Sequence, residues 1–279
     1  MGTITIDHSS RVEIIDPGKN LSIADKDHCN SLLENYNNCI THILGLLQFI
    51  EDRKSKFAEK YNRKDQPFSL NQVDEAIEKL NEATENLTLS LIVKLENYFA
   101  KRYCLVFDSL ILETSRIDLP PFSSYHKIIE NIASQVGSDF LKAGKEQIKN
   151  RFLKCFHKDR LPSLKGNKIT IADFIWIDEH YGDKTSLCSD HNSAIEKLMH
   201  ALNLFLNDTT ELPQGIGEKL LNWKSILNLP EHHPVFPDVS FKFFKNRRID
   251  VLFSSATIAR RFWNYYKLEI IESIIHENN

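Results

Sequence analysis

A chain of 279 residues, 42% apolar and 26% charged, is long enough to bury one sizeable core or two small ones. Its formal net charge of −3 excludes a global pull toward nucleic acid or anionic lipid, so any such contact must rest on local patches. Nine Gly and nine Pro argue against a disordered chain, and five cysteines with no C-x-x-C pair argue against a disulfide framework, predicting reduced, mostly buried thiols.

The N-terminal residues Met1 to Asp7 carry neither a basic nor an apolar segment, so no secretory signal is expected. Ile6 occupies the position where a myristoylation motif needs Ser or Thr. No apolar run approaches the roughly 18 residues that span a bilayer. A soluble, cytoplasmic protein without a membrane partner is the expectation. Within residues 1–20, Ile4/Ile6 and Val12/Ile14 alternate around a polar centre before Pro17-Gly18, which predicts two short strands or an arm pairing elsewhere.

From Ser22 to about Tyr61 the period changes. Leu32, Leu33, Tyr36, Ile40, Ile43, Leu44, Leu47 and Ile50 recur at three- and four-residue steps, so they share one helix face. Gln66-Pro67 interrupts the pattern, and Ser69 with Gln72 forms a capping box for the next helix. There Val73, Ile77, Leu80, Thr84, Leu87, Leu91 and Lys94 follow near-heptad spacing, continuing to Tyr98 and Leu105. Two long helices across a short polar turn predict an antiparallel hairpin over 21–119, closed by Pro120-Pro121.

Residues 120–279 predict a basic α+β portion. One helix is expected from Ser124 to about Phe156, then a strand at Lys168 to Thr170 and an apolar run, Ile171 to Ile177, that fits strand or buried helix. Helices follow at Asp190 to Leu206, with Ile195, Leu198, Leu202 and Phe205 on one face, and at Glu218 to Leu229. Period-two alternation on both sides of Lys245-Asn246-Arg247-Arg248 predicts a β-hairpin over Val239 to Phe253. Ser254 or Ser255 then caps a last helix through Ile275, carrying Ile258, Phe262, Tyr265 and Tyr266 inward. The fold class expected is mainly α with a smaller α+β portion.

Motifs that carry chemistry are scarce. Eleven histidines include no HExxH, and His232-His233 reads as a Pro-bounded loop with no third ligand nearby. Asp178, Glu179 and His180 could form a general acid–base group, but adjacent residues do not face one another, and Trp176 and Ile177 read as core. No nucleophile elbow, SxxK or phosphate loop occurs; Gly215-Ile216-Gly217 lacks the third glycine and the lysine. No catalytic residue, metal or cofactor is expected.

Charge says more. Nine Lys/Arg lie between Phe140 and Thr170 (Lys142, Lys145, Lys149, Arg151, Lys154, Lys158, Arg160, Lys165, Lys168) against Glu146 and Asp159. Seven lie between Lys242 and Lys267 (Lys242, Lys245, Arg247, Arg248, Arg260, Arg261, Lys267) against Asp250, whereas the helix from Asn71 to Phe99 is acidic. Such polarity gives a near-neutral chain a positive face. Phe152, Phe156, Phe243, Phe244 and Trp263 lie among the cations, where stacking on single strands would want them. The candidate nucleic-acid or partner contacts are Lys145, Lys149, Arg151, Lys154, Lys158, Arg160, Lys245, Arg247, Arg248, Arg260 and Arg261.

Three stretches also carry a likeness. Arg102-Tyr103-Cys104-Leu105-Val106-Phe107-Asp108-Ser109-Leu110, Gly166-Asn167-Lys168-Ile169-Thr170-Ile171, and Phe241 to Asn246 running into Ile249 to Phe253 and the final helix follow in order. Over the C-terminal two thirds this order resembles a family of unknown function found in phages and conjugative elements, often fused to or beside a DNA methyltransferase. Two departures stand out: Arg247-Arg248 occupy a turn where that family usually has Gly, and residues 111–160 look like an extended insertion. No methyltransferase portion is present, so the resemblance implies a mobile-element setting and no methylation. The expectation is a non-enzymatic protein that binds a nucleic-acid-processing host complex, a protein or ribonucleoprotein partner, as a counter-defence inhibitor of CRISPR or restriction. A direct DNA- or RNA-binding accessory protein and an enzyme with a cryptic acid–base site stay open as alternatives, and the oligomeric state is not specified.

Overall fold

A computed structural model of the chain describes residues 20–60, 70–107, 124–156, 161–179, 185–187, 193–225, 229 and 231–270. The expected N-terminal strands, the Ser69 cap, the proline pair 120–121 and both ends of the supposed insertion, 111–123 and 157–160, lie outside them. The chain is mainly α with a smaller α+β portion and divides into two units, Met1–Ala100 with Phe107–Phe140 and Lys101–Val106 with Leu141–Asn279.

The first unit is built on two long helices, α1 (Ile23–Lys60) and α2 (Leu70–Tyr103). A capping box starts α1: the Asp25 N–H donates to Ser22 Oγ at 3.2 Å and the Ser22 N–H to Asp25 Oδ2 at 3.1 Å. Asp25 is fully buried and also accepts the Tyr98 hydroxyl from α2 at 2.8 Å. Farther along, Tyr36 meets Thr88 at 2.8 Å and Lys54 pairs with Asp74, so contacts that ascend α1 descend α2, the mark of an antiparallel hairpin. The predicted apolar face is the buried one, with Leu33, Tyr36, Ile40 and Leu47 opposing Leu91, Ile92, Leu95 and Phe99. Cys29 is sealed in the same seam, where burial and then the nearby Asp25 push its thiol up to about 12.

The single helix expected over 124–156 is two. α3 (His126–Val136) ends at Gly137, whose φ of +93° only glycine adopts without strain, and α4 (Phe140–Leu153) begins three residues later. Gly144, the other glycine in that stretch, lies inside α4 and has a different purpose. A Cβ there would overlap the carbonyl oxygen of Tyr103, so the missing side chain lets α4 press against the end of α2.

The second unit carries a five-stranded antiparallel sheet in the order β1-β2-β7-β6-β5, with β1 Ser163–Lys165, β2 Lys168–Ile171, β5 His232–Phe236, β6 Val239–Phe243 and β7 Ile249–Phe253. β3 (Ile177–Glu179) and β4 (Thr185–Leu187) pair separately. The predicted hairpin is β6–β7. His232-His233, expected in a loop, instead opens β5, and the His233 ring sits 5.3 Å from that of Phe243. The apolar run after β2 is neither strand nor helix: Asp173 takes a φ of +51° and breaks the alternation.

Helices α5 (Ser193–Asn207), α6 (Ile216–Ser225) and α7 (Ala256–Tyr265) complete the unit. Ser255 caps α7 by accepting the Ile258 N–H at 3.2 Å. The helix stops far short of Ile275 because Lys267 turns left-handed at φ +50°, and a 3-10 turn, Leu268–Ile270, follows. Phe262 and Tyr266 point inward as expected, and the Tyr266 hydroxyl donates to Ala201 O at 2.8 Å, but Tyr265 is exposed. Phe152, Phe241, Phe243, Phe253 and Phe262 are at most 2% exposed, which makes the centre of this unit largely aromatic.

Gly144→Ala should lower the stability of the second unit by about 1–3 kcal/mol, although Ala ordinarily favours a helix over Gly by about 1 kcal/mol. Gly217→Ala in α6, where an added Cβ meets nothing within 4 Å, should leave stability unchanged or raise it. Urea unfolding followed by circular dichroism separates the two.

Candidate functional site

Strand register sorts the side chains of the sheet into two faces, since successive residues point opposite ways and cross-strand partners point the same way. Ile169, Ile171, Val239, Phe241, Phe243, Ile249, Val251 and Phe253 turn toward the core. On the other face Thr170, Asp250 and Lys242 form one row, Lys168, Leu252 and Ser240 the next, and Lys165 lies opposite Lys168. Asp250, 3% exposed, is the organising group: its carboxylate accepts Thr170 Oγ1 at 2.9 Å and Lys168 Nζ at 3.0 Å. Arg248 Nε lies 3.3 Å from the same carboxylate without aiming its N–H at it, so that attraction is ionic. Among the strand residues on this face Asp250 is the one acid, set against Lys165, Lys168 and Lys242, with Arg248 just ahead of β7.

The β6–β7 turn adds to this face. Phe244 N–H donates to Arg248 O and Arg247 N–H to Phe244 O, both at 3.0 Å, closing a three-residue loop whose last residue, Arg247, has a φ of +65°. The Arg247 carbonyl accepts the N–H groups of Phe174 at 2.9 Å and Ile175 at 3.2 Å. Its guanidinium lies 3.8 Å over the ring of Trp176, with Nη1 3.9 Å from Asp173 Oδ1. The Arg248 guanidinium lies 3.7 Å over Phe244, and Lys242 Nζ is 5.8 Å from the same ring. Lys245 is exposed at the tip.

The remaining predicted contacts are dispersed over helices. Lys145 pairs with Asp208 at 2.7 Å, and Lys149 lies 5.0 Å over Tyr265 and 3.8 Å from Glu146. Arg261 lies 5.9 Å over Phe205, and Arg260 and Lys154 are exposed. Arg151 works inside the fold: its Nη2 donates to Cys104 O at 2.6 Å and Sγ at 2.8 Å. Lys158 and Arg160 lie outside the described residues. Lys245, Arg247 and Arg248 are therefore brought together at one turn, Lys149 and Arg261 flank an aromatic pair, Phe205 and Tyr265, 5.7 Å apart, and Arg151 joins neither group.

Of the aromatics expected to stack on single strands, Phe152, Phe156, Phe243 and Trp263 are buried in the core and only Phe244 reaches the basic face. Trp176, expected in the core, is 44% exposed. Phe174 and Ile175 are both buried in consecutive positions, so period-two reasoning loses the direction of the next residue.

Cys104, at φ +56° beyond the end of α2, meets His200 Nδ1 at 3.4 Å as well as Arg151. Burial pushes its thiol up, against the pull of Arg151. Burial likewise holds His200 below the ordinary histidine range, partly offset by Glu196, so the native imidazole is neutral and its Nδ1–H tautomer can donate to Thr210 O at 3.3 Å. A buried thiol beside a neutral ring is poor nucleophile chemistry and good packing. Asp178 and Glu179 are successive residues of β3, and His180 lies outside the described residues. No group of three or more His, Cys, Asp or Glu that could hold a metal occurs among the described residues. None of the described helices is long and apolar enough to cross a membrane.

Compared with known proteins, the chain matches no family model, no curated protein and no solved structure.

His200 gives a pH signature. The unfolded chain takes up its proton near pH 6.5, above the native value, so the contribution of His200 to stability is whole above about pH 6.5 and is lost as pH falls toward the native pKa. His200→Gln keeps a donor for Thr210 without titrating. It should flatten the drop in melting temperature between about pH 7 and about pH 5 relative to the parent chain.

Proposed function

We propose that the chain is a non-enzymatic binding protein that engages a nucleic-acid-processing host complex, with the basic sheet face and the β6–β7 turn of its second unit meeting phosphates. The observation that carries this reading is the gathering of Lys165, Lys168, Lys242 and Arg248 around one buried carboxylate, Asp250, on one sheet face, with Lys245 and Arg247 in the turn that follows and Asp173 beside Arg247. Cations supplied from strands are held at fixed spacing, which suits a polyanion of regular charge repeat. Direct contact with DNA or RNA follows from the same chemistry and is the second reading. The phage or mobile-element setting, and the counter-defence role against restriction or CRISPR, rest on the sequence resemblance.

Affinity purification from host lysate at low salt should recover a nucleoprotein complex, sensitive to nuclease. Recovery of neither protein nor nucleic acid would sink the reading. Binding to purified nucleic acid should weaken steeply with salt, and Lys165→Ala and Lys242→Ala should each reduce the log–log salt slope by about 1.

Asp250→Asn offers an opposite-signed check. Lys168 and Arg248, at 35% and 36% exposure, would lose their counter-charge. Stability should fall by about 1–2 kcal/mol after discounting for that exposure, while nucleic-acid affinity should rise. A fall in both, with the fold retained, would contradict the role given to this face.

A further inference from the structure

We propose that the β6–β7 turn is a clamp for single-stranded nucleic acid, in which the Arg247–Trp176 and Arg248–Phe244 pairs stack against unpaired bases while Lys242 and Lys245 meet phosphates. This rests on the reading that the second unit contacts nucleic acid, and specifies its form.

The first support is the backbone of the turn. A three-residue hairpin loop of this kind ends in a left-handed residue, which is where glycine belongs. Arginine stands there instead, at φ +65°. The strain is unexplained by the anchoring of the neighbouring loop, because the Phe174 and Ile175 N–H groups bond to the backbone carbonyl of Arg247. Glycine would supply that carbonyl equally well. What arginine adds is its side chain, and a strained backbone kept for a side chain points to use of that side chain.

The second support is where the side chain goes. The guanidinium carbon lies 3.8 Å from the centre of the Trp176 ring, and that large aromatic is left 44% exposed just after the buried Phe174 and Ile175. The next residue, Arg248, repeats the arrangement over Phe244 at 3.7 Å. A guanidinium stacked on one ring presents its second face to another π system, and nucleobases are the anionic polymer's π systems. Phosphate attraction alone would call for cations without rings, and would serve a duplex as well. In a duplex the base faces are covered by their neighbours, so paired aromatic and guanidinium plates discriminate in favour of unstacked strands.

The full chain is titrated with oligo(dT), oligo(U) and a duplex, each of about 15 nucleotides, following anisotropy and intrinsic tryptophan fluorescence. Trp223 and Trp263 are 6% and 8% exposed, so quenching on binding reports chiefly on Trp176. The expected result is quenching by the single strands, with affinity at least about tenfold above that for the duplex. The tighter of oligo(dT) and oligo(U) distinguishes a DNA from an RNA strand. Trp176→Leu should abolish the quenching, and it and Arg247→Gly should each weaken single-strand binding about tenfold. Arg247→Gly should also leave the melting temperature unchanged or raise it. Equal binding of duplex and single strand without quenching would overturn the clamp and leave the broader reading standing. An Arg247→Gly variant that melts lower and binds as before would make the side chain a strut and overturn it too. If neither form binds at low salt, both readings fall.

Discussion

Strand β7 is hydrogen-bonded to β2 on one side and to β6 on the other, and its register decides both faces of the sheet at once. Ile249, Val251 and Phe253 can enter the aromatic core only if Asp250 and Leu252 point the other way. A one-residue slip would drive the Asp250 carboxylate in among Phe241, Phe243 and Ile169. With the register as it is, Asp250 gathers Lys168 and Thr170 from a strand some 80 residues earlier in the chain. Closing so long a loop costs little more than closing a shorter one, because the entropy grows only logarithmically with length. The basic face is thus a by-product of core burial, built on the inner strands of the sheet.

The turn at the end of β7's partner strand links that sheet to the irregular segment after β2. Arg247 serves it twice, through a carbonyl that receives two N–H groups and a guanidinium that covers Trp176. Other cations in the same sequence runs do different work. Arg151 turns inward to close the end of α2, leaving its charge satisfied by Cys104 O, and Lys145 is held by Asp208. A count of positive residues treats these as equal; a carbonyl at 2.6 Å does not.

The hairpin of the first unit obeys a simpler rule. Two helices bury one stripe each, and the stripe is sealed where Leu91 to Phe99 meet the start of α1. Leu46, Phe49 and Leu89 of the same two helices remain exposed. Asp25 reconciles the buried end with polarity by acting as helix cap and as acceptor for Tyr98 together.

Residue periodicity by itself determined the class of this protein, the two long helices, the β6–β7 hairpin and the Ser255 cap, because each depends on neighbours within a turn or a strand. It determined as well that the C-terminal portion is basic. Only the tertiary structure decided that β2 would sit beside β7, since antiparallel pairing across some 80 residues leaves no local trace, and that His232-His233 would begin a fifth strand, whose register shifts between Pro234 and Phe236 and so interrupts the alternation. The same is true of the split at Gly137, which periodicity passes over, and of Gly144, whose missing Cβ matters only against Tyr103. Of the candidate contacts, Lys245, Arg247 and Arg248 were legible because a turn exposes what it carries. Trp176 was not, because two buried residues in succession erase the alternation that would have pointed it outward.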